Sequence, residues 1–187
     1  MTDLTRILER AERGEEGAAE HLAAALYEEL RAIAGRQMAD ERTDHTLQPT
    51  ALVHEAFLRL VGDGGNSFRS RAHFVGAAAV AIRRILVDHA RRRAREKRGG
   101  GRRRMHLDEV DPVAPIQDDA LLALDDALTA LARSSPTTAR IVELRFFAGL
   151  TIPEVAQQMG TSECTIEREW RGARALLRGE LEGGDGV

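Results

Sequence analysis

The chain has 187 residues, enough for one medium domain or two small ones, and with only 4% aromatic residues its core must come from Leu, Ala, Ile and Val. Its single cysteine, Cys164, excludes an internal disulfide, which fits the reducing cytoplasm; no apolar run approaches membrane-spanning length, and the N-terminus carries no signal-peptide pattern. The net charge of −3 conceals a segregation: residues 83–104 hold eleven Arg or Lys against Asp88 and Glu96, giving +9 there and −12 elsewhere, the pattern of one nucleic-acid-facing surface on an acidic protein.

In chain order, residues 3–13 predict a short helix with Leu4, Ile7 and Leu8 inward, ended by Gly14. A longer helix follows over 16–40, striped by Leu22, Leu26, Leu30 and Ile33. Residues 40–48 are a polar connection. Pro49 then opens a helix over 49–61, with Leu52, Ala56, Phe57 and Leu60 on one face. His54, Glu55, Leu58 and Arg59 are left outward, as either a plain solvated face or a partner surface. The run GDGGN at 62–66 is a turn before Ser67, Phe68 and Arg69.

The longest helix is expected over 71–97. Phe74, Ala78, Ala81, Ile85 and His89 form its apolar stripe, widened by Ile82 and Leu86, with the arginines opposite. Arginines at a helix C-terminus suit the macrodipole, but nine Arg or Lys within 91–104 are enough to contact several phosphates. Residues 99–117 read as an acidic interdomain linker with Pro112 and Pro115. A second domain starts at Asp118, with one helix over 118–132 and another begun by Ser135-Pro136 that buries Ile141, Leu144 and Phe147.

Residues 149–177 predict two short helices around a tight turn. Thr151 and Glu154 make a capping box, Gly160 supplies a turn with positive φ, and Ser162 caps a second helix whose Ile166, Trp170, Ala173 and Leu177 share a face. This is the pattern of a helix-turn-helix, although an ordinary helical hairpin has the same local signals. The expected class is therefore all-α: two small helical domains, 1–98 and 118–182, joined by a flexible linker at 99–117, with a frayed tail at 183–187.

No catalytic site is expected. The six histidines are scattered without metal spacing, His54-Glu55 lacks the second histidine of a zinc-protease helix, and the glycine runs lack a phosphate-loop Lys. No cofactor or metal is called for.

The order of motifs, with HTLQPTALVHEAFLRL followed by AIRRILVDHARRR and then the helix-turn-helix, resembles a bacterial RNA polymerase sigma factor of the extracytoplasmic-function (ECF) type, over about residues 3–180. The resemblance implies a first domain, sigma region two, that binds core RNA polymerase through His54, Glu55, Leu58 and Arg59. Most ECF proteins carry Gln at the place of His54, and both side chains hydrogen-bond. It implies minus-ten contacts from Asn66, Ser67, Phe68, Arg69, Arg83, Arg84, Arg91 and Arg92. Phe68 is open to two readings, a base-stacking surface or a core plug. Many ECF proteins show Asn at the place of Arg84, for which phosphate contact stays open. Asp88 and His89 match the family's Asp-His, with a structural hydrogen-bonding role for His89 on the apolar stripe.

The second domain resembles sigma region four, which reads the minus-thirty-five element; the resemblance assigns that to Ser162, Thr165, Arg168, Glu169, Arg171 and Arg174. Trp170 belongs to the core face, and Cys164 is read as a small, partly buried residue. Within the linker, Asp108, Glu109 and Asp111 either follow a path meant for RNA or form a plain acidic tether. Partners implied are core RNA polymerase and promoter DNA, with an anti-sigma factor possible and no membrane insertion. The rival reading is a stand-alone helix-turn-helix regulator.

Overall fold

The computed structural model describes residues 4–37, 48–61, 68–96 and 118–183. The expected connection at 40–47, the turn at 62–66 with Asn66, Ser67, the linker 99–117 and the tail residues 184–187 lie outside the described residues.

The described chain is all-helical: α1 (Leu4–Glu12), α2 (Ala18–Gln37), α3 (Pro49–Val61), α4 (Arg71–Glu96), α5 (Asp118–Ser134), α6 (Pro136–Phe146), α7 (Ile152–Met159) and α8 (Glu163–Gly183). Local chemistry sets most boundaries. Gly14 adopts a φ of 68° after α1. Pro49 opens α3 where its missing N–H costs nothing. Ser70 starts α4 with its Oγ accepting the His73 N–H at 3.1 Å. Ser135 differs from expectation, because its hydroxyl pairs with the Thr138 hydroxyl at 2.7 Å instead of capping α6; Pro136 alone marks that start. Gly183, expected in the tail, closes α8.

One hydrophobic cluster runs through both halves of the chain. In the first half, Leu4 and Leu8 of α1, Leu26, Leu30 and Ile33 of α2, and Leu52, Ala56 and Leu60 of α3 are buried, and Tyr27 meets Phe57 edge-on at 5.7 Å to join α2 to α3. In the second half the buried set is Leu121, Leu124, Leu128 and Leu131 of α5, Ile141 and Leu144 of α6, Val155 and Ala156 of α7, and Ile166, Ala173 and Leu177 of α8.

Helix α4 is the shared element. Its apolar surface exceeds the expected stripe, because Val75, Ala79, Val87 and Ala90 are buried as well. It packs on α3 from one side and on α5 and α6 from the other. The arginine-bearing side of α4 is therefore partly covered by the second half, where the sequence predicts a surface open to nucleic acid.

Candidate polymerase-binding and DNA-binding surfaces

On α3, His54 and Leu58 face outward, and Leu58 is 54% exposed, unusual for a large apolar side chain. Glu55 and Arg59 sit one turn apart and are joined at 2.8 Å. The Arg59 guanidinium also reaches Asp88 at 3.2 Å, and His89 Nε2 lies 3.6 Å from the Glu55 carboxylate. Asp88 thus ties α4 to α3 through Arg59, while His89 lies near the Glu55 carboxylate beyond hydrogen-bond distance. His54 and Leu58 head an outward ridge on α3, and Arg59 is exposed beside it.

At the start of α4, Phe68 is 5% exposed and stands edge-on to Phe74 at 5.0 Å and to His73 at 5.7 Å. Of the two readings of Phe68, this is the core plug. Arg69 is exposed, and its backbone N–H donates to His73 Nδ1 at 3.3 Å.

The arginines of α4 divide into two sets. Arg84 and Arg92 face outward. Arg84 borders an open groove of about 530 Å³ that Arg59, His73 and Arg140 also line. Arg83 turns the other way. Its Nε donates to Asp125 Oδ1 at 2.8 Å, Nη1 to Glu143 Oε1 at 2.9 Å, and Nη2 to the Asp125 carbonyl at 2.9 Å and the Thr129 hydroxyl at 3.0 Å. Arg91 adds a bond to the second Asp125 carboxylate oxygen at 3.1 Å, and Arg93 pairs with Asp118.

In the second half, the Thr151 N–H donates to the Glu154 carboxylate at 2.7 Å and the Glu154 N–H returns to Thr151 Oγ1, completing the predicted capping box. Gly160 takes a left-handed φ of 64°, and the Thr165 N–H donates to Ser162 Oγ at 3.2 Å. These local rules make the helix-turn-helix. Partial burial pushes the Glu154 carboxyl up, but the bonds from the Thr151 N–H and hydroxyl, with the charges of Arg36 and Arg71, outweigh it and hold the group below its ordinary 4.5. A depressed value means a contribution complete above pH 4.5 and lost as pH falls through the folded-state value. Glu154→Gln is expected to melt about 2–4 °C lower at pH 7. That gap should close as pH falls below the ordinary carboxylate range and Glu154 takes up its proton; a gap that does not change with pH would exclude the charge as its source.

Of the six predicted minus-thirty-five residues, Arg168 and Arg171 are exposed on α8. Ser162 and Thr165 share a 2.8 Å hydroxyl bond at the cap, Glu169 accepts from the Thr138 hydroxyl at 2.9 Å, and Arg174 is half-buried. Trp170 stacks under the Arg145 guanidinium at 5.2 Å and stays on the core side, as expected. Cys164 corrects the sequence reading: it is exposed, because it lies about 200° around the helix from the buried Ile166, on the same side as Arg168.

The profile for the ECF sigma factor family matches residues 1–183, nearly the whole chain. The chain belongs to the ECF sigma factor family. It is 27% identical over 174 residues to the proteins named ECF RNA polymerase sigma factor SigK of Mycobacterium tuberculosis (strain ATCC 25618 / H37Rv) and Mycobacterium bovis (strain BCG / Pasteur 1173P2), covering 82% of this chain and 91% of theirs. No solved structure matches. The function is that of a sigma factor directing promoter-specific transcription initiation, and a stand-alone regulator is not favoured. No described helix is long and apolar enough to cross a membrane.

Sequence reasoning missed three parts of this sigma factor's surfaces. The Arg83 cluster depends on partners 42 and 60 residues away, beyond any helical period. Arg140 had no assigned role, yet it borders the groove beside Arg84. Gly76 was passed over, although a glycine inside the run FVGAAAVA is a signal of close approach.

Proposed function

We propose that the work is divided between the two halves: residues 1–98 bind core RNA polymerase and open the minus-ten element, and residues 118–182 read the minus-thirty-five element. The observation that carries this is the exposed pair Arg168 and Arg171 on the second helix of a fully capped helix-turn-helix. Arginines so placed suit guanine edges in a major groove. His54 and Leu58 would make the first contact with polymerase, with Glu55 and Arg59 keyed to Asp88 and His89 behind them. Arg84, Arg92 and Arg69 offer outward charge for strand contacts, Asn66 and Ser67 outside the described residues keep the role the resemblance implies, and Arg83 and Arg91 join them once their carboxylate partners leave. The chain supplies binding free energy and polymerase the chemistry, and a partner of polymerase would work in the cytoplasm. An anti-sigma factor would have to cover the His54–Leu58 ridge or the arginine surfaces.

The test is transcription by purified core polymerase, with and without the chain, on DNA from its own upstream region; a start site that appears only with the chain is expected. Leu58→Asp should leave the helical signal and melting point unchanged, because the side chain is exposed, and should remove co-purification with core. Undiminished co-purification of that variant would reject the ridge as the contact.

A further inference from the structure

Four successive residues of α8, Arg168, Glu169, Trp170 and Arg171, divide by helical phase. The outer two are exposed and project within about 60° of one another. The inner two are half-buried, and each is gripped by α6. Thr138, in the first turn of α6, donates its hydroxyl to Glu169 Oε2 at 2.9 Å. Arg145, seven residues on and so about two turns along the same face of α6, lays its guanidinium over Trp170 at 5.2 Å. Arg145 Nη1 also donates to the Leu150 carbonyl at 2.6 Å, just before α7 begins. The two ends of α6 thus hold neighbouring residues of the recognition helix.

The grip at Thr138 is unusual in its cost. Thr138, 6% exposed, is the one buried polar residue among the described residues. A carboxylate only accepts, so the single hydroxyl proton of Thr138 is committed to Glu169. The 2.7 Å contact between the Ser135 and Thr138 hydroxyls must then run from Ser135 to Thr138. Ser135 sits where it could cap α6, yet its side chain makes no cap bond. A helix cap is given up to complete a relay of hydroxyls that ends on Glu169. The second oxygen of Glu169, Oε1, lies 3.9 Å from Arg168 Nη2, which links the relay to one of the outward arginines.

We propose that Thr138, backed by Ser135, is a positioning residue for reading the minus-thirty-five element: through Glu169 it sets the roll of α8 and hence where the Arg168 and Arg171 guanidinium groups stand. This rests on the proposed reading of that element by the two arginines. Ile166, Ala173 and Leu177 hold α8 to the core, but apolar burial has no direction and tolerates small rotations. A roll of about 20° would carry a side-chain tip about 6 Å from the helix axis sideways by about 2 Å. Hydrogen bonds to a guanine edge do not survive such a displacement. Glu169, expected among the base readers, works instead from the α6 side, by holding its neighbours in register.

The experiment uses the full chain bound to purified core polymerase and two duplexes: DNA from the chain's own upstream region, and the same DNA with its minus-thirty-five segment scrambled. The reading is the ratio of the two affinities. Thr138→Val removes the donor and keeps the volume, and a buried position cannot touch DNA itself. The ratio should fall about tenfold, as for the loss of one bidentate contact, with melting and affinity for the scrambled duplex unchanged. Thr138→Ser keeps the hydroxyl and should keep the ratio. In a chain already carrying Arg168→Ala and Arg171→Ala, Thr138→Val should lower the ratio no further. Should Thr138→Val melt early, Ser135→Ala takes its place, with a smaller fall expected and no fall overturning the proposal. An unchanged ratio in Thr138→Val overturns it, as does an equal loss on both duplexes, which is what a merely structural role would give. A full further fall in the double-arginine background overturns it too. If Arg168→Ala with Arg171→Ala keeps the ratio, the arginine reading itself fails and the positioning with it; a ratio lost there but kept in Thr138→Val rejects the positioning alone.

Discussion

Arg83→Ala is expected to lower the stability of the folded chain by about 3 kcal/mol, read as a fall in the urea midpoint. Removing the guanidinium leaves Asp125 with Arg91 as its remaining cation and Glu143 with Arg140, and opens unfilled space between them in a place water scarcely reaches. The loss is bounded, because parting of the halves gives those carboxylates a route to water. The denaturant slope should therefore also fall, as the halves separate before they unfold. Arg83→Lys should recover only part of the loss, since an ammonium cannot reach Nε, Nη1 and Nη2 acceptors at once. A solvated DNA contact would behave otherwise: stability would change by no more than about 0.5 kcal/mol and only DNA affinity would drop.

Phe68→Ala is expected to cost about 3–5 kcal/mol and to lower the melting temperature by roughly 10 °C. Phe68 is buried against Phe74, itself fully buried, and alanine would leave a cavity between the start of α4 and the core. Phe68→Leu should recover most of the stability, because volume and apolarity are largely kept. Thermal melting of the three proteins decides the matter. Melting temperatures within a degree of one another, with promoter opening abolished, would return Phe68 to a base-stacking role.

The parts of this fold legible in the sequence are those set by neighbours within one or two turns. Pro49 marks the start of α3, Thr151 and Glu154 define α7, Gly160 turns left-handed, and Ser162 caps α8, each through contacts no more than a few residues long. Helical periodicity also places Leu121, Leu124, Leu128 and Leu131 inward. What fails is the assumption that a charged face is a solvated face. Arg83 has the spacing of an outward residue, and its partners belong to helices folded back from the far side of residues 99–117. A trace of that burial is present all the same: Val75, Ala79, Val87 and Ala90 broaden the apolar surface of α4 beyond what one neighbour can cover. Cys164 shows a related limit, since residue type suggests burial where helical phase gives exposure. In the candidate site, the outward position of His54, Leu58, Arg168 and Arg171 was readable from phase, whereas the ties of Glu169 to Thr138 and of Arg59 to Asp88 needed the third dimension.

The continuity of one apolar core across both halves has a thermal consequence. Parting the halves would hydrate apolar surface from α4 and its neighbours, and hydration of such surface raises heat capacity. The balance between docked and parted forms is then curved in temperature: the apolar share of the seam weakens on cooling, while its ion pairs do not follow the same course. The availability of the α4 arginines would accordingly depend on temperature through water structure alone, with no ligand or covalent change required.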